Sequence, residues 1–90
     1  MQWYEYQRPR EKLRLYGVAM LSLTELIQLI IASGGVGQSA ARIARQVEGL
    51  VRSGHVSYDT LCSIKGMGDA KACQVLAALE LAYRLQKGSP

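Results

Sequence analysis

Apolar residues recur at Leu23, Leu26, Ile27, Ile30 and Ile31, the spacing of one helical face. Ser22 and Glu25, three positions apart at the head of this run, form a capping-box pattern that predicts where the helix starts. The run stops at Ser33-Gly34-Gly35-Val36-Gly37. A second amphipathic stretch from about Ser39 places Ala40, Ile43, Ala44, Val47 and Leu50 on one face and ends at Gly54. Ser57 can cap a short helix carrying Tyr58, Leu61 and Cys62, which Ile64-Lys65-Gly66-Met67-Gly68 interrupts. From about Asp69, the period Ala72, Val75, Leu76, Leu79, Ala82, Tyr83 predicts a long helix, and the Lys87-Gly88-Ser89-Pro90 tail reads as a linker. Ahead of all these, Pro9 suits the first position of a short basic helix that Gly17 closes, with Leu13 and Tyr16 on its apolar side. Trp3, Tyr4 and Tyr6 are expected to fold back over the core, stacking on bases being the other use of such rings. No segment alternates with period two, so the expected fold is all-α, five helices in one domain over residues 1–87, with 88–90 beginning a linker.

Two of the breaks repeat each other. Gly35-Val36-Gly37-Gln38-Ser39-Ala40-Ala41 and Gly66-Met67-Gly68-Asp69-Ala70-Lys71-Ala72 share the pattern Gly-apolar-Gly-x-x-x-Ala, and each lies between two predicted helices. The glycines permit backbone angles that side chains forbid and let another chain approach closely. Val36 or Met67 should point inward and pin the turn, while Ala41 or Ala72 lets paired helices approach. The helix that follows each turn presents unpaired N–H groups and the positive end of its dipole, which suits a phosphate oxygen. A plain glycine connection between antiparallel helices has the same local signature; two matching copies in a basic chain favour phosphate binding. Asp69 at the second helix start would repel a phosphate unless its carboxylate is turned aside, and Lys65 and Lys71 flank it. At the first turn Gln38 and Ser39 can donate to phosphate, with Arg42 and Arg45 one to two helical turns on.

Composition bounds these readings. Ninety residues, 49% hydrophobic and 20% charged, suffice for one core. The formal net charge of +4 favours a polyanion partner without selecting one, and a solvated helix face explains the spread of charge as well as a binding surface does. Cys62 and Cys73 lack Cys-x-x-Cys spacing and His55 is the only histidine, so no structural zinc set and no cofactor are expected. The cysteines are expected on or beside apolar helix faces as small hydrophobes, and His55 in an exposed loop. Glu11, Glu25, Glu48 and Glu80 fall on separate helices, which gives a two-carboxylate hydrolase no support. No signal peptide and no membrane-length apolar run is evident, so the reading is cytoplasmic, with no membrane partner.

At Arg8-Pro9-Arg10-Glu11-Lys12-Leu13, Leu21-Ser22-Leu23-Thr24-Glu25-Leu26 and Ile64-Lys65-Gly66-Met67-Gly68-Asp69-Ala70-Lys71-Ala72, the chain resembles the N-terminal region of the RadC-like family, historically named as DNA repair proteins. The resemblance runs from about Arg8 to about Gln86 and implies a DNA-associated tandem helix-hairpin-helix unit, a SAM/(HhH)2-like helical bundle, ahead of a C-terminal JAB1/MPN-type domain. The His-x-His-Pro and aspartate zinc ligands of that second domain are absent from this sequence, so the resemblance implies no enzyme activity here. Ser33-Gly34 stands where the family more usually has Arg-Thr-Gly, which removes a positive charge from the first turn. In the wider helix-hairpin-helix group turn carbonyls sometimes hold a monovalent cation, an expectation that would fall near Ile64 and Gly66. Together these readings predict DNA held by its phosphates without sequence preference at Gly35, Gly37, Gln38, Ser39, Arg42, Arg45, Lys65, Gly66, Gly68 and Lys71. The alternative is a protein-docking module that uses the apolar surface around Leu15, Val18 and Tyr83.

Overall fold

The computed structural model describes residues 8–31 and 37–88, with the side chains of 37–39 left aside. It contains α1 (Pro9–Tyr16), a single 3-10 turn (Val18–Met20), α2 (Leu23–Ile31), α3 (Gly37–Ser53), α4 (Tyr58–Cys62) and α5 (Asp69–Lys87). Among the described residues there is no strand, and no helix is long and apolar enough to cross a membrane. The expected places of Trp3, Tyr4, Tyr6, Gly35 and Val36 and the linker residues 89–90 lie outside the described residues.

Local chemistry sets most helix ends. Pro9 opens α1, the Arg8 N–H donates to Glu11 Oε1 at 3.0 Å, and Gly17, at φ +95°, closes the helix through its N–H to the Leu13 carbonyl. The box predicted at α2 forms in both directions: the Glu25 N–H donates to Ser22 Oγ at 3.1 Å and the Ser22 N–H to Glu25 Oε1 at 2.8 Å. Ser57 caps α4 by accepting the Thr60 N–H at 3.1 Å, and Thr60 Oγ1 accepts the Ser57 N–H at 2.9 Å. Helix α3 begins at Gly37, two positions before the expected Ser39.

The core joins Ile27 and Ile31 of α2, Ile43, Ala44 and Val47 of α3, Leu61 of α4, Ile64 and Met67 of the turn, and Ala72 and Val75 of α5. Helix α2 packs on α3 and α4 on α5, and the two pairs meet through α2 with α5 and α3 with α4. The Thr24 hydroxyl donates to Glu48, so the start of α2 lies beside the end of α3.

Three packing expectations are corrected. Leu23 and Ile30 are more than one-third exposed, because α2, α3 and α5 leave an apolar groove of about 190 Å³ between them. Ala82 and Tyr83, expected on the buried face of α5, are exposed with everything from Glu80 onward; α5 outruns the five-residue α4 and the nine-residue α2 beneath it. Cys62 and Cys73 are exposed as well. Helix α1 packs on α2 and the 3-10 turn. Its Lys12 is buried and its ammonium meets Glu25 Oε2 at 2.8 Å, so one glutamate both caps α2 and holds α1.

Candidate nucleic-acid interface

The second glycine turn is built by two backbone bonds. The Ile64 N–H donates to the Leu61 carbonyl and the Met67 N–H to the Ile64 carbonyl, each at 3.0 Å, and Gly66 takes φ +93° between them. Met67 is buried beneath the turn, as its apolar position between two glycines predicts. Gly66 is pressed against α3: a Cβ there would stand 2.8 Å from Ile43 Cδ1. Gly68 is different. It is extended, at φ −96° and ψ 174°, and a Cβ there would meet no heavy atom within 4 Å. Ala72, fully buried four residues on, makes the first helical bond of α5 by donating to the Gly68 carbonyl at 3.0 Å. The N–H groups of Asp69, Ala70 and Lys71 precede that bond and meet no acceptor among the described residues.

Charged groups surround these donors. Lys65 is exposed and Lys71 half-buried, and neither forms an ion pair among the described residues. Arg42, placed by sequence beside the first turn, reaches instead to the second: its guanidinium donates to the Lys65 carbonyl at 3.5 Å. With Gly66 on Ile43, this contact sets the second turn beside the N-terminal part of α3, about 9 Å along its axis from Gly37. Arg45 is exposed on α3, one turn beyond. Gly37 opens α3, the side chains of Gln38 and Ser39 are not described, and Gly35 lies outside the described residues. Of the predicted set, the structure therefore gathers Arg42, Lys65, Gly66, Gly68 and Lys71 at one turn. The carbonyls near Ile64 and Gly66 considered for a cation are partly engaged: that of Ile64 accepts the Met67 N–H, and that of Lys65 faces Arg42.

Asp69 does not cap its own helix. Its Oδ1 accepts the Tyr58 hydroxyl at 2.6 Å and lies 3.9 Å from Cys73 Sγ. The hydrogen bond to Asp69, followed by one to Cys62, raises the Tyr58 hydroxyl well above its ordinary pKa. Sequence reasoning placed Tyr58 with Leu61 and Cys62 on the short helix and gave it no role at the turn, because its partner Asp69 lies on the next helix. Elsewhere Glu48 and Glu80 pair with Arg52 and Arg84 four residues on, and Lys12 pairs with Glu25. Exposed Arg10 and Arg14 of α1 form no ion pair among the described residues.

Residues 1–73 match the UPF0758 N-terminal domain. The chain belongs to the UPF0758 family. It is 46% identical over 89 residues to a UPF0758 protein of Geotalea uraniireducens, an overlap of 92% of this chain and 39% of the relative. UPF0758 proteins of Ralstonia pickettii and Clostridium tetani are each 42% identical, over 94% and 91% of this chain and 40% and 38% of their own lengths. The chain thus spans about two-fifths of the length of the curated relatives it matches. No solved structure matches it. The RadC-like resemblance is consistent with membership of UPF0758, and the matched stretch takes in the whole second turn.

Proposed function

We propose that this UPF0758 domain is a tandem helix-hairpin-helix module that binds DNA without sequence preference, through backbone phosphates. The observation that carries the reading is the second turn: the adjacent N–H groups of Asp69, Ala70 and Lys71 meet no acceptor among the described residues, and Lys65, Lys71 and Arg42 lie at the same turn. The pairing of α2 with α3 and α4 with α5, cross-packed through α2–α5 and α3–α4, supports two related hairpins. Arg42 and Ile43 of α3 stand against the second turn, so α3 adds its exposed arginines to the same surface. On this reading the module has no catalysis of its own and works in the cytoplasm, and in the longer relatives it precedes a JAB1/MPN-type domain that residues 88–90 begin to link.

Binding of a labelled duplex, followed by fluorescence anisotropy over a range of salt concentrations, tests this. Neutralising about two to four phosphates gives a log-affinity against log-salt slope on the order of −2 to −4. The Lys65→Ala, Lys71→Ala double variant is expected to weaken binding and flatten the slope by about one to two. A specific observation favours a second reading, that of a docking module: Leu15, Val18 and Tyr83 are 62%, 57% and 55% exposed. No binding by the parent chain, or binding that the double variant leaves unchanged, would favour docking.

A further inference from the structure

We infer that Tyr58 is a positioning residue for the anion site at the second turn: its hydroxyl holds the Asp69 carboxylate toward α4, leaving the first N–H groups of α5 open to a phosphate. This inference rests on the phosphate-binding reading and explains how that site tolerates an acid at its centre.

Asp69 is the first residue of α5, where an anionic side chain is attracted by the same unpaired N–H groups and dipole that would attract a phosphate. An unrestrained carboxylate there is an intramolecular competitor. In the structure it is restrained: Asp69 Oδ1 accepts the Tyr58 hydroxyl at 2.6 Å, a length typical of a charge-assisted bond. No side chain caps α5, and the N–H groups of Asp69, Ala70 and Lys71 meet no acceptor among the described residues. Tyr58 can do this because Ser57 fixes the start of α4 and Leu61, fully buried, anchors the helix against the core. The bond joins the two helices of one hairpin across the turn they flank, so a side chain on the first helix governs access to the head of the second.

The test is a hydroxyl deletion with a charge rescue. Tyr58→Phe keeps the ring but frees the carboxylate, and duplex affinity is expected to fall about threefold to tenfold with an unchanged melting temperature. In the Tyr58→Phe, Asp69→Asn double variant no carboxylate competes, and affinity should return to the parent value or above although the hydrogen bond is still missing. A purely structural role for the bond would give no such rescue. Binding by Tyr58→Phe equal to that of the parent, or a loss that Asp69→Asn leaves in place, overturns the inference while the phosphate-binding reading stands.

A second readout needs no DNA. In ¹⁵N-edited spectra, the Ala70 and Lys71 amide protons should move downfield in Tyr58→Phe as the released carboxylate accepts from them, and return in the double variant. Amide shifts that match the parent in Tyr58→Phe overturn the inference whatever the DNA result.

Discussion

Gly66 and Gly68 stand two positions apart in one motif and do different work. Gly66 holds φ +93° against Ile43, where any side chain is strained and a methyl group would collide with the Ile43 side chain. Gly68 has ordinary extended angles and empty space where its Cβ would be. Gly66→Ala is therefore expected to destabilise the domain by about 1–3 kcal/mol, measured by urea unfolding. Gly68→Ala should cost less than about 1 kcal/mol as an N-cap change, yet lower duplex affinity several-fold because the methyl group stands where a phosphate would approach. A Gly68→Ala variant that binds DNA as the parent does would remove the turn from the interface. The repeat of two glycines was visible in the sequence, but their division of labour was not: it depends on Ile43, which no local motif connects to Gly66. Tyr58 was hidden for the same reason, since its partner Asp69 belongs to the next helix.

Helix ends were more legible than helix faces. Pro9, Ser22 with Glu25, and Ser57 mark their boundaries because such end signals are satisfied by neighbours within one turn. A face, by contrast, says which side is apolar and nothing about how far a partner extends, so Ala82 and Tyr83 continue the period of α5 past the helices that could cover it. The attachment of α1 shows the same limit, for Lys12 belongs to the basic first helix and nothing in its spacing marks it as the buried partner of Glu25. This pair carries a prediction. Burial alone would raise the Glu25 carboxyl, but the Lys12 ammonium and the Ser22 N–H and hydroxyl outweigh it and bring the pKa below its ordinary value of 4.5. A depressed folded pKa means that the unfolded chain takes up the proton first as the solution is acidified. The associated stability is thus complete above about pH 4.5 and is lost as pH falls through the folded value. Lys12→Met should lower stability by about 1–3 kcal/mol at pH 7, and the gap to the parent should narrow in acid. Parallel stability curves for the two proteins between pH 7 and pH 3 would show that the ion pair contributes nothing to holding α1 on α2.

Among the described residues three ion pairs consume cations and carboxylates together, and most of the positive charge left over falls into two groups. One is Arg42, Arg45, Lys65 and Lys71 around the second turn and the start of α3; the other is Arg8, Arg10 and Arg14 at and on α1, while Lys87 lies apart at the end of α5 over the Tyr83 ring. The contacts fix where these groups stand. Arg42 lies beside the second turn, Thr24 bonds Glu48, and Lys12 bonds Glu25, so α1 sits beside the start of α2 and hence toward the end of α3. Arg42 and Glu48 are about 9 Å apart along the axis of α3, with α1 packed on α2 rather than on α3. That span of α3 alone exceeds the Debye length of about 8 Å at physiological salt, so the α1 arginines are expected to act on a phosphate at the turn only weakly. A domain that attracts DNA through diffuse basicity would respond alike to the loss of any two cations. One that grips phosphates at the glycine turns would not. Arg10→Ala, Arg14→Ala and Lys65→Ala, Lys71→Ala each remove two charges, so at 150 mM salt the first is expected to change duplex affinity less than about threefold. The second should reduce it about tenfold or more and account for the flattening of the salt slope. Equal losses from the two double variants would mean that the turns confer no localisation, and that net charge alone draws the polyanion.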